Sequence, residues 1–383
     1  MTVSILYIEL SINIKYIRMV AMNKRFAIGF VVLFVCLFLI YRLHKKPLSI
    51  ESFRPKSVAE FPIEYADFIW LYVEMNDEFV EQMKPYKDTS NIRTERFSTI
   101  DELVYSFRSY RKHCSWHKGR VILVTCCNQI PARIDDTKVV RWKSVRDNYD
   151  ESSMRQNKDQ ILWMDHTDFI PSCYLPTFNS VTIETCLWRI PYITPIFVEW
   201  NDDMFAIKDT RPEDFKKDGL VQNIHNGIYS SCILRQAMHT HLVCNALDRS
   251  PNYIRYFKDH TPWVIVTEVL RSICTEYPDV YENNLRHKFR DTSQVCVLSM
   301  AVYYMNHLEI AEFEQSSTAL GADTGALFRD FEDVDFDDLN CRIRSKAYKW
   351  LCLNNFAFTS KERVDTYQSL LDNTFPEPSV YES

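Results

Sequence analysis

The sequence predicts an α/β protein: a mostly parallel sheet with crossover helices, followed by a helical C-terminal part and preceded by a single transmembrane helix. Two observations carry this prediction. Short β-rich runs alternate with helical patterns, which is typical of βαβ units, and an apolar run lies near the N-terminus. The predicted strands are 68–73, 121–125, 160–164 and 196–200, and the helices between them include 100–110 and 181–189.

The apolar run at 26–41 has basic residues on both sides. It is shorter than the roughly 20 residues that an average bilayer needs, but thinner early secretory membranes tolerate such a length. A cleaved signal peptide is the competing interpretation. Because no small-x-small cleavage site follows, we expect an uncleaved signal-anchor, with 1–25 as a cytosolic tail and 42–61 as a stem.

Composition excludes several classes of protein. A chain of 383 residues with 46% hydrophobic content forms one large or two ordinary domains. Only six glycines occur, without a GxGxxG or Walker pattern, so a glycine-rich phosphate loop is excluded. The net charge of -6 argues against nucleic acid as a partner. The twelve cysteines contain no CxxC pair, so they are compatible with disulfides and argue against a zinc site.

Two adjacent carboxylates, Asp202 and Asp203, follow the predicted strand at 196–200. A strand that ends in acidic residues suits a site at the carboxyl edge of an α/β sheet, where ligands of such sheets usually lie. Paired carboxylates are also the ligands that Mg²⁺ or Mn²⁺ needs while it bridges phosphate oxygens. The alternative is that the two acids only decorate a solvated turn.

The chain after residue 214 is predicted to be largely helical. The helical patterns lie at 233–249, 264–276 and 295–308. The acidic run at 328–338 lacks the glycine and the spaced terminal Glu of a calcium loop, so it is interpreted as a solvated loop.

A series of short blocks resembles the Stealth family of sugar-phosphate transferases. The blocks follow the family's order and are DELVYSFRS at 101–109, VILVT at 121–125, NQIP at 128–131, DHTDFIP at 165–171, LPTFNS at 175–180, IE at 183–184, RIP at 189–191, NDDMF at 201–205 and PEDF at 212–215. Weaker matches are DFIWLYV at 67–73, HTPW at 260–263 with FR at 289–290, and WLCLNN at 350–355.

The resemblance implies a Stealth-like phosphotransferase domain over 62–360, with 361–383 as a tail. It implies transfer of a sugar-1-phosphate, of the N-acetylglucosamine or xylose type, from a UDP-sugar to a hydroxyl of a glycan or glycoprotein, with release of UMP. Together with the predicted anchor it implies a type II protein of the Golgi or endoplasmic-reticulum membrane, with the catalytic body in the lumen.

The resemblance also implies roles for particular residues. Asp202 and Asp203 would hold Mg²⁺ or Mn²⁺, with Asp67 at another strand end as a catalytic partner. His260 is the candidate base or transient nucleophile, and Arg290 the clamp on phosphate oxygens. The residues expected to shape the substrate site are Arg108, Asn179 and Glu184.

Two other functions stay open from the sequence. A metal-dependent glycosyltransferase would also use strand-end carboxylates on a UDP-sugar, but it would release UDP. A catalytically silent glycan-binding relative is the alternative that is not an enzyme. It is favoured by Val266-Thr267 and Asn355, which stand where the family has Asp-Arg and Asp.

Overall fold

The structure is a computed structural model that describes residues 58, 60–74, 76–86, 101–226, 256–258, 260–315, 326–330, 335–354 and 360–383. Its strands are β1 Asp67–Leu71, β2 Val121–Thr125, β3 Val139–Arg141, β4 Ile161–Asp165, β5 Ile196–Asn201, β6 Met204–Ala206, β7 Leu220–Asn226, β8 Tyr256–Lys258, β9 Trp263–Val266, β10 Ala311–Gln315, β11 Ala326–Asp330 and β12 Trp350–Asn354. Its α-helices are α1 Asp77–Met83, α2 Glu102–His113, α3 Trp142–Val145, α4 Glu151–Gln156, α5 Ser180–Cys186, α6 Thr267–Glu276, α7 Pro278–Arg286, α8 Val297–His307, α9 Phe336–Ser345 and α10 Lys361–Thr374.

The main sheet has six strands in the order β3-β4-β2-β1-β5-β9. The first five are parallel, and only β9 runs antiparallel to its neighbour β5. The chain starts at β1, moves outward through β2 to β4, and then returns to the other side of β1 with β5. The order of the strands therefore reverses between β1 and β5, which is the kind of switch point where α/β sheets open a crevice.

Two smaller sheets lie beside the main one. Their strand orders are β10-β7-β8 and β11-β12-β6. The second matters for the candidate site because β6 begins immediately after Asp203 and pairs antiparallel with β12. Strand β12, from far along the chain, is thereby brought against the end of β5.

Aromatic residues fill the core between the central strands and α2. Trp70 on β1 and Trp200 on β5 are fully buried and stack with ring centroids 5.1 Å apart. Trp163 on β4 is also buried, with its indole N–H donated to Thr125 Oγ1 at 2.9 Å. Buried side chains on both faces suit a sheet that is covered on both sides, and these tryptophans belong to the core.

The strands predicted in the first half of the chain are confirmed, but the helical C-terminal part is wrong in several places. Strands β7 to β12 all lie after residue 214. Residues 264–266 belong to β9, because a short apolar run fits a buried strand as well as a helix and here pairs with β5. The region of 295–308 is helical, as α8, and 233–249 lies outside the described residues.

The acidic run at 328–338 is not simply a loop. Its first residues complete β11, and Asp335 caps α9 by accepting hydrogen bonds from the N–H groups of Asp337 and Asp338 at 3.0 and 3.1 Å. Carboxylates are favourable at a helix N-terminus because they satisfy free N–H groups and complement the helix dipole. The clustering of acids therefore reflects helix capping at this end of the run.

The prediction of a transmembrane helix is corrected. No helix within the described ranges is long and apolar enough to cross a membrane. The longest of them, α10, has 14 residues, whereas a bilayer needs about 20 apolar residues. Residues 26–41 themselves lie outside the described part of the chain. The location in the Golgi or endoplasmic reticulum stays a prediction.

The structure also bears on the cysteines. Nine of the twelve are in the described part of the chain, and no disulfide joins any two of these nine. Several of them are buried among apolar side chains, where a thiol packs as a small hydrophobic group.

Candidate functional site at the carboxyl edge of the sheet

Asp202 and Asp203 form the turn between β5 and β6. The turn is held from below by two donors to the carbonyl of Met204: the indole N–H of Trp200 at 2.8 Å and the hydroxyl of Ser106 at 2.7 Å. Both donors are buried, so the backbone of the turn is fixed by the core. The two carboxylates therefore lie at the carboxyl edge of the sheet, beside the switch point.

The two oxygens of Asp203 have different surroundings. Oδ2 accepts a hydrogen bond from the thiol of Cys352 at 3.5 Å, whereas Oδ1 is buried and has no hydrogen-bond partner within the described residues. Burial raises the pKa of Asp203 to about 6, although Cys352 and Arg290 act in the opposite direction. Burial and then the neighbouring Asp203 raise the pKa of Asp202 well above its ordinary value. Carboxylates with raised pKa values at a sheet edge favour a cation-binding site.

Arg290 interacts electrostatically with Asp203. Its charge lowers the pKa of Asp203, so the guanidinium is within electrostatic reach of that carboxylate. Its Nε donates to the hydroxyl of Ser180 at 3.0 Å, and the side chain is exposed. An exposed guanidinium can bind phosphate oxygens through its paired N–H groups.

Asn179 positions the segment that carries Arg290. It caps α5, and its side-chain amide donates to the carbonyls of His287 and Phe289 at 3.1 and 2.9 Å and to Gln294 Oε1 at 3.0 Å. Asn179 is fully buried. It therefore acts through the backbone of 287–290 and does not face a substrate.

Glu184 lies one turn further along α5 and is half-buried. Residues four apart share one face of a helix. Glu184 is therefore on the face that carries Ser180, the residue that Arg290 contacts. Glu184 therefore lies on the short helix that Asn179 caps.

His260 is brought to the same edge by strand pairing. It precedes β9, whose Trp263 pairs with Glu199 in the antiparallel register of β5 and β9. Continued past the last pair, that register puts His260 level with Asp202. His260 is half-buried. His260 and the two carboxylates thus come from segments nearly 60 residues apart and lie at the same end of two neighbouring strands.

The structure does not bring Asp67 to this site. Asp67 begins β1, four residues before the strand end, which corresponds to about 13 Å along the sheet. Its fully buried carboxylate accepts from Arg120 Nε at 2.8 Å and from the N–H of Thr194 at 2.9 Å, and Arg155 lies 3.3 Å away. The sequence placed Asp67 correctly at an end of a strand, but this end is the amino end and not the carboxyl end where the candidate site lies.

Arg108 also faces away from the carboxyl edge. Its guanidinium makes a two-point contact with Glu382, at 2.9 and 2.6 Å, and donates to the carbonyl of Phe375 at 3.0 Å. Both members of the ion pair are almost fully buried. Arg108 therefore fastens α2 to the C-terminal segment, which the domain boundary at residue 360 had placed in a separate tail.

Three residues at the site were missed from the sequence: Cys352, Ser180 and Glu102. Glu102, at the start of α2, contributes to the raised pKa of Asp202. All three lie within blocks that were recognised, WLCLNN, LPTFNS and DELVYSFRS. The blocks were the feature of the sequence that could have pointed to these three residues. A thiol, a hydroxyl or a single Glu does not by its chemistry alone indicate a place beside a carboxylate pair.

The residues present fit a divalent cation of the Mg²⁺ type. No cluster of three or more His, Cys, Asp or Glu side chains suited to a metal ion occurs in the described ranges. Mg²⁺ is commonly held by one or two carboxylates, with substrate phosphates and water as its other ligands. The unpartnered Oδ1 of Asp203 is the observation in favour of such an ion, because a buried carboxylate oxygen is costly unless something pairs with it.

Comparison with known proteins agrees with the sequence blocks. A family model described as "Stealth protein CR2, conserved region 2" matches residues 144–224, which include α5 and the Asp202–Asp203 turn. The chain is 24% identical over 243 residues to capsular polysaccharide phosphotransferase SacB of Neisseria meningitidis serogroup A, covering 60% of this chain and 41% of SacB. It thus spans about two fifths of that relative.

Two further relatives carry similar names. Capsular polysaccharide phosphotransferase eps5J of Streptococcus thermophilus is 30% identical over 156 residues, which is 39% of this chain and 56% of that protein. Exopolysaccharide phosphotransferase cps2G of Lactiplantibacillus plantarum is 23% identical over 355 residues, covering 82% of this chain and 96% of the relative. The second match extends over most of both chains.

Among solved structures, galactosyltransferase LgtC matches with a TM-score of 0.33 and 8% identity over 79% of this chain and 95% of LgtC. That likeness is too low to support an argument. The chain is an α/β protein whose matched region contains the acidic turn after β5. The family model and the names of the relatives confirm the resemblance to Stealth phosphotransferases that the sequence predicts.

Proposed function

We propose that this protein transfers a sugar-1-phosphate from a UDP-sugar to a hydroxyl group of a glycan, forming a phosphodiester and releasing UMP. The observation that carries the proposal is the unpartnered Oδ1 of Asp203 at the carboxyl edge, with the charge of Arg290 in reach. The names of the relatives, capsular and exopolysaccharide phosphotransferases, support sugar-phosphate transfer as the reaction type.

Asp202 and Asp203 would hold Mg²⁺ or Mn²⁺. The ion, when bound, neutralises charge on the diphosphate and so stabilises the leaving UMP. Both carboxylates must be ionised to bind it. Their raised pKa values mean that an approaching cation restores the charged state that burial disfavours.

Arg290 binds the transferred phosphate on the side facing α5. In the reaction the acceptor oxygen forms a bond to the phosphorus that carries the sugar, while the bond from that phosphorus to the bridging oxygen of UMP breaks. The negative charge spreads over the phosphoryl oxygens, which a guanidinium stabilises through paired N–H groups. Asn179 keeps Arg290 in place by fixing residues 287 and 289.

His260 takes the proton of the acceptor hydroxyl. A neutral imidazole accepts a proton near physiological pH. The register of β5 and β9, which when continued sets His260 level with Asp202, supports this role. The proton leaves the acceptor as the new oxygen–phosphorus bond forms. A His260 that attacked the phosphorus itself would instead give a covalent intermediate.

The nucleotide product tests the proposal. The full chain is incubated with Mn²⁺, a panel of UDP-sugars and a mannose-terminated oligosaccharide, and the nucleotides are separated by ion-exchange chromatography. We expect UMP, together with a phosphodiester in the glycan. UDP as the product would identify a glycosyltransferase, and no turnover with retained UDP-sugar binding would identify a silent glycan-binding relative.

A matched pair of variants controls this experiment. Asp203→Asn removes the proposed metal ligand with little change in volume, and we expect it to abolish UMP release. Asp147→Asn removes an exposed carboxylate on the surface, 85% accessible, and should keep wild-type activity. Circular dichroism of both variants establishes that the fold is intact. Full activity in Asp203→Asn contradicts the proposed role.

A further inference from the structure

Cys352 occupies an unusual place beside the acidic turn. It lies in the middle of β12 and pairs with Met204, the residue directly after Asp203. Its side chain is fully buried. The thiol lies 3.5 Å from Asp203 Oδ2 and donates to it, at a normal separation for a sulfur donor.

The contact distinguishes the two oxygens of one carboxylate. The backbone of the turn is already fixed by Trp200 and Ser106, but a carboxylate can still rotate about its last side-chain bond. A donor on Oδ2 removes that freedom. Oδ1, which has no partner within the described residues, is then held in one direction.

We propose that Cys352 is a positioning residue for the metal ligand Asp203. Its thiol holds Oδ2 so that Oδ1 is presented to the divalent cation. This inference rests on the proposed function, because it takes Asp203 as a ligand. It gives a role to β12, a strand to which the proposed reaction assigns no role.

A thiol suits the orientation of a metal-binding carboxylate better than a charged donor does. Lys or Arg at the same position would neutralise the carboxylate and weaken its attraction for a cation. A neutral S–H group orients the oxygen without adding charge. Groups that orient metal ligands in this way typically change metal affinity or activity by about 10- to 100-fold when they are removed.

Metal affinity measured directly on the full chain tests the inference. Mn²⁺ is titrated into the protein and the free ion is followed by electron paramagnetic resonance, without nucleotide. Cys352→Val is a slightly larger apolar side chain that cannot donate, and Cys352→Ala is a smaller variant without a donor. We expect both to raise the Kd for Mn²⁺ about tenfold, at the lower end of the usual range because S–H is a weak donor. Cys352→Ser keeps a donor and should raise it less.

Cys274→Ala is the matched control. Cys274 is also buried and its thiol also donates a weak hydrogen bond, to the carbonyl of Thr185 at 3.6 Å, but it lies on α6. We expect this variant to bind Mn²⁺ as the wild type does. The midpoint of thermal unfolding, measured for each variant, separates loss of packing from loss of metal affinity.

The outcomes distinguish this inference from the proposed function. Unchanged Mn²⁺ affinity in whichever of Cys352→Val and Cys352→Ala is folded overturns the positioning role. If Asp203→Asn weakens Mn²⁺ binding in the same experiment while those two variants do not, only the role of Cys352 fails. If Asp203→Asn also binds Mn²⁺ normally, the metal site itself is in the wrong place.

Discussion

Replacing Asp67 tests whether its carboxylate takes part in catalysis or stabilises the fold. The sequence placed it among the catalytic residues, whereas the structure buries it at the amino edge of the sheet in contact with Arg120 and Arg155. Asp67→Asn removes the negative charge with little change in shape. Arg120, which is also fully buried, is then left without its counter-ion.

The expected loss follows from that geometry. Removing one partner of a buried ion pair typically costs about 3–5 kcal/mol, because the remaining charge stays desolvated. With an entropy of unfolding of about 2.1 cal/mol/K per residue, a chain of 383 residues loses about 1.2 °C per kcal/mol, so the midpoint of thermal unfolding should fall by about 4–6 °C. Urea unfolding provides the free energy directly. Any remaining folded protein should release UMP at the wild-type rate, since Asp67 is remote from Asp203.

A double variant serves as the control. In Asp67→Asn/Arg120→Met both charges are removed, and we expect part of the lost stability to return, since apolar replacement of a whole buried pair is often nearly neutral. The reasoning is refuted if Asp67→Asn keeps its stability within about 0.5 kcal/mol, the usual effect of an inconsequential surface change, and loses UMP release. Asp67 would then be catalytic, as the sequence suggested.

Three further predictions concern the site and the core. Asn179→Ala removes the hydrogen bonds that hold the backbone at His287 and Phe289. Arg290 should then move, so UMP release should fall at least tenfold while Mn²⁺ binding persists. Loss of both activities would place Asn179 at the metal. His260→Ala should lower the rate by roughly 10² to 10⁴, the span of general acid–base catalysis, with UDP-sugar affinity by calorimetry unchanged; a parallel loss of affinity would make His260 a binding residue. Burial lowers the pKa of His117 to about 4, so the unfolded chain binds its proton first and the free energy of unfolding should decrease as pH falls from about 6.5 to about 4, by up to about 3 kcal/mol. His117→Gln, followed by urea unfolding at several pH values, should flatten that decrease, and an unchanged slope would contradict the assignment.

The sequence by itself determined the parallel strands and the acidic turn. Strands β1, β2, β4 and β5 are mostly apolar runs. Such a local pattern results from burial on both faces and can be recognised from the sequence alone. Asp202 and Asp203 lie at the carboxyl edge because they directly follow β5, and residues that follow a strand lie at its carboxyl end. The blocks that resemble the Stealth family are likewise short local patterns, so the sequence alone also indicated that resemblance.

Only the tertiary structure decided which of these residues meet. Asp67 and Arg108 both lie in recognised blocks, but ion pairs with Arg120 and Glu382 turn them into structural residues, and such partners are 53 and 274 positions away. Cys352 reaches Asp203 through the pairing of β12 with β6, across 149 positions. Contacts of this length depend on how sheets and helices pack, and no local pattern of residues encodes that packing. The sequence thus specified the acidic edge, and long-range packing specified its neighbours.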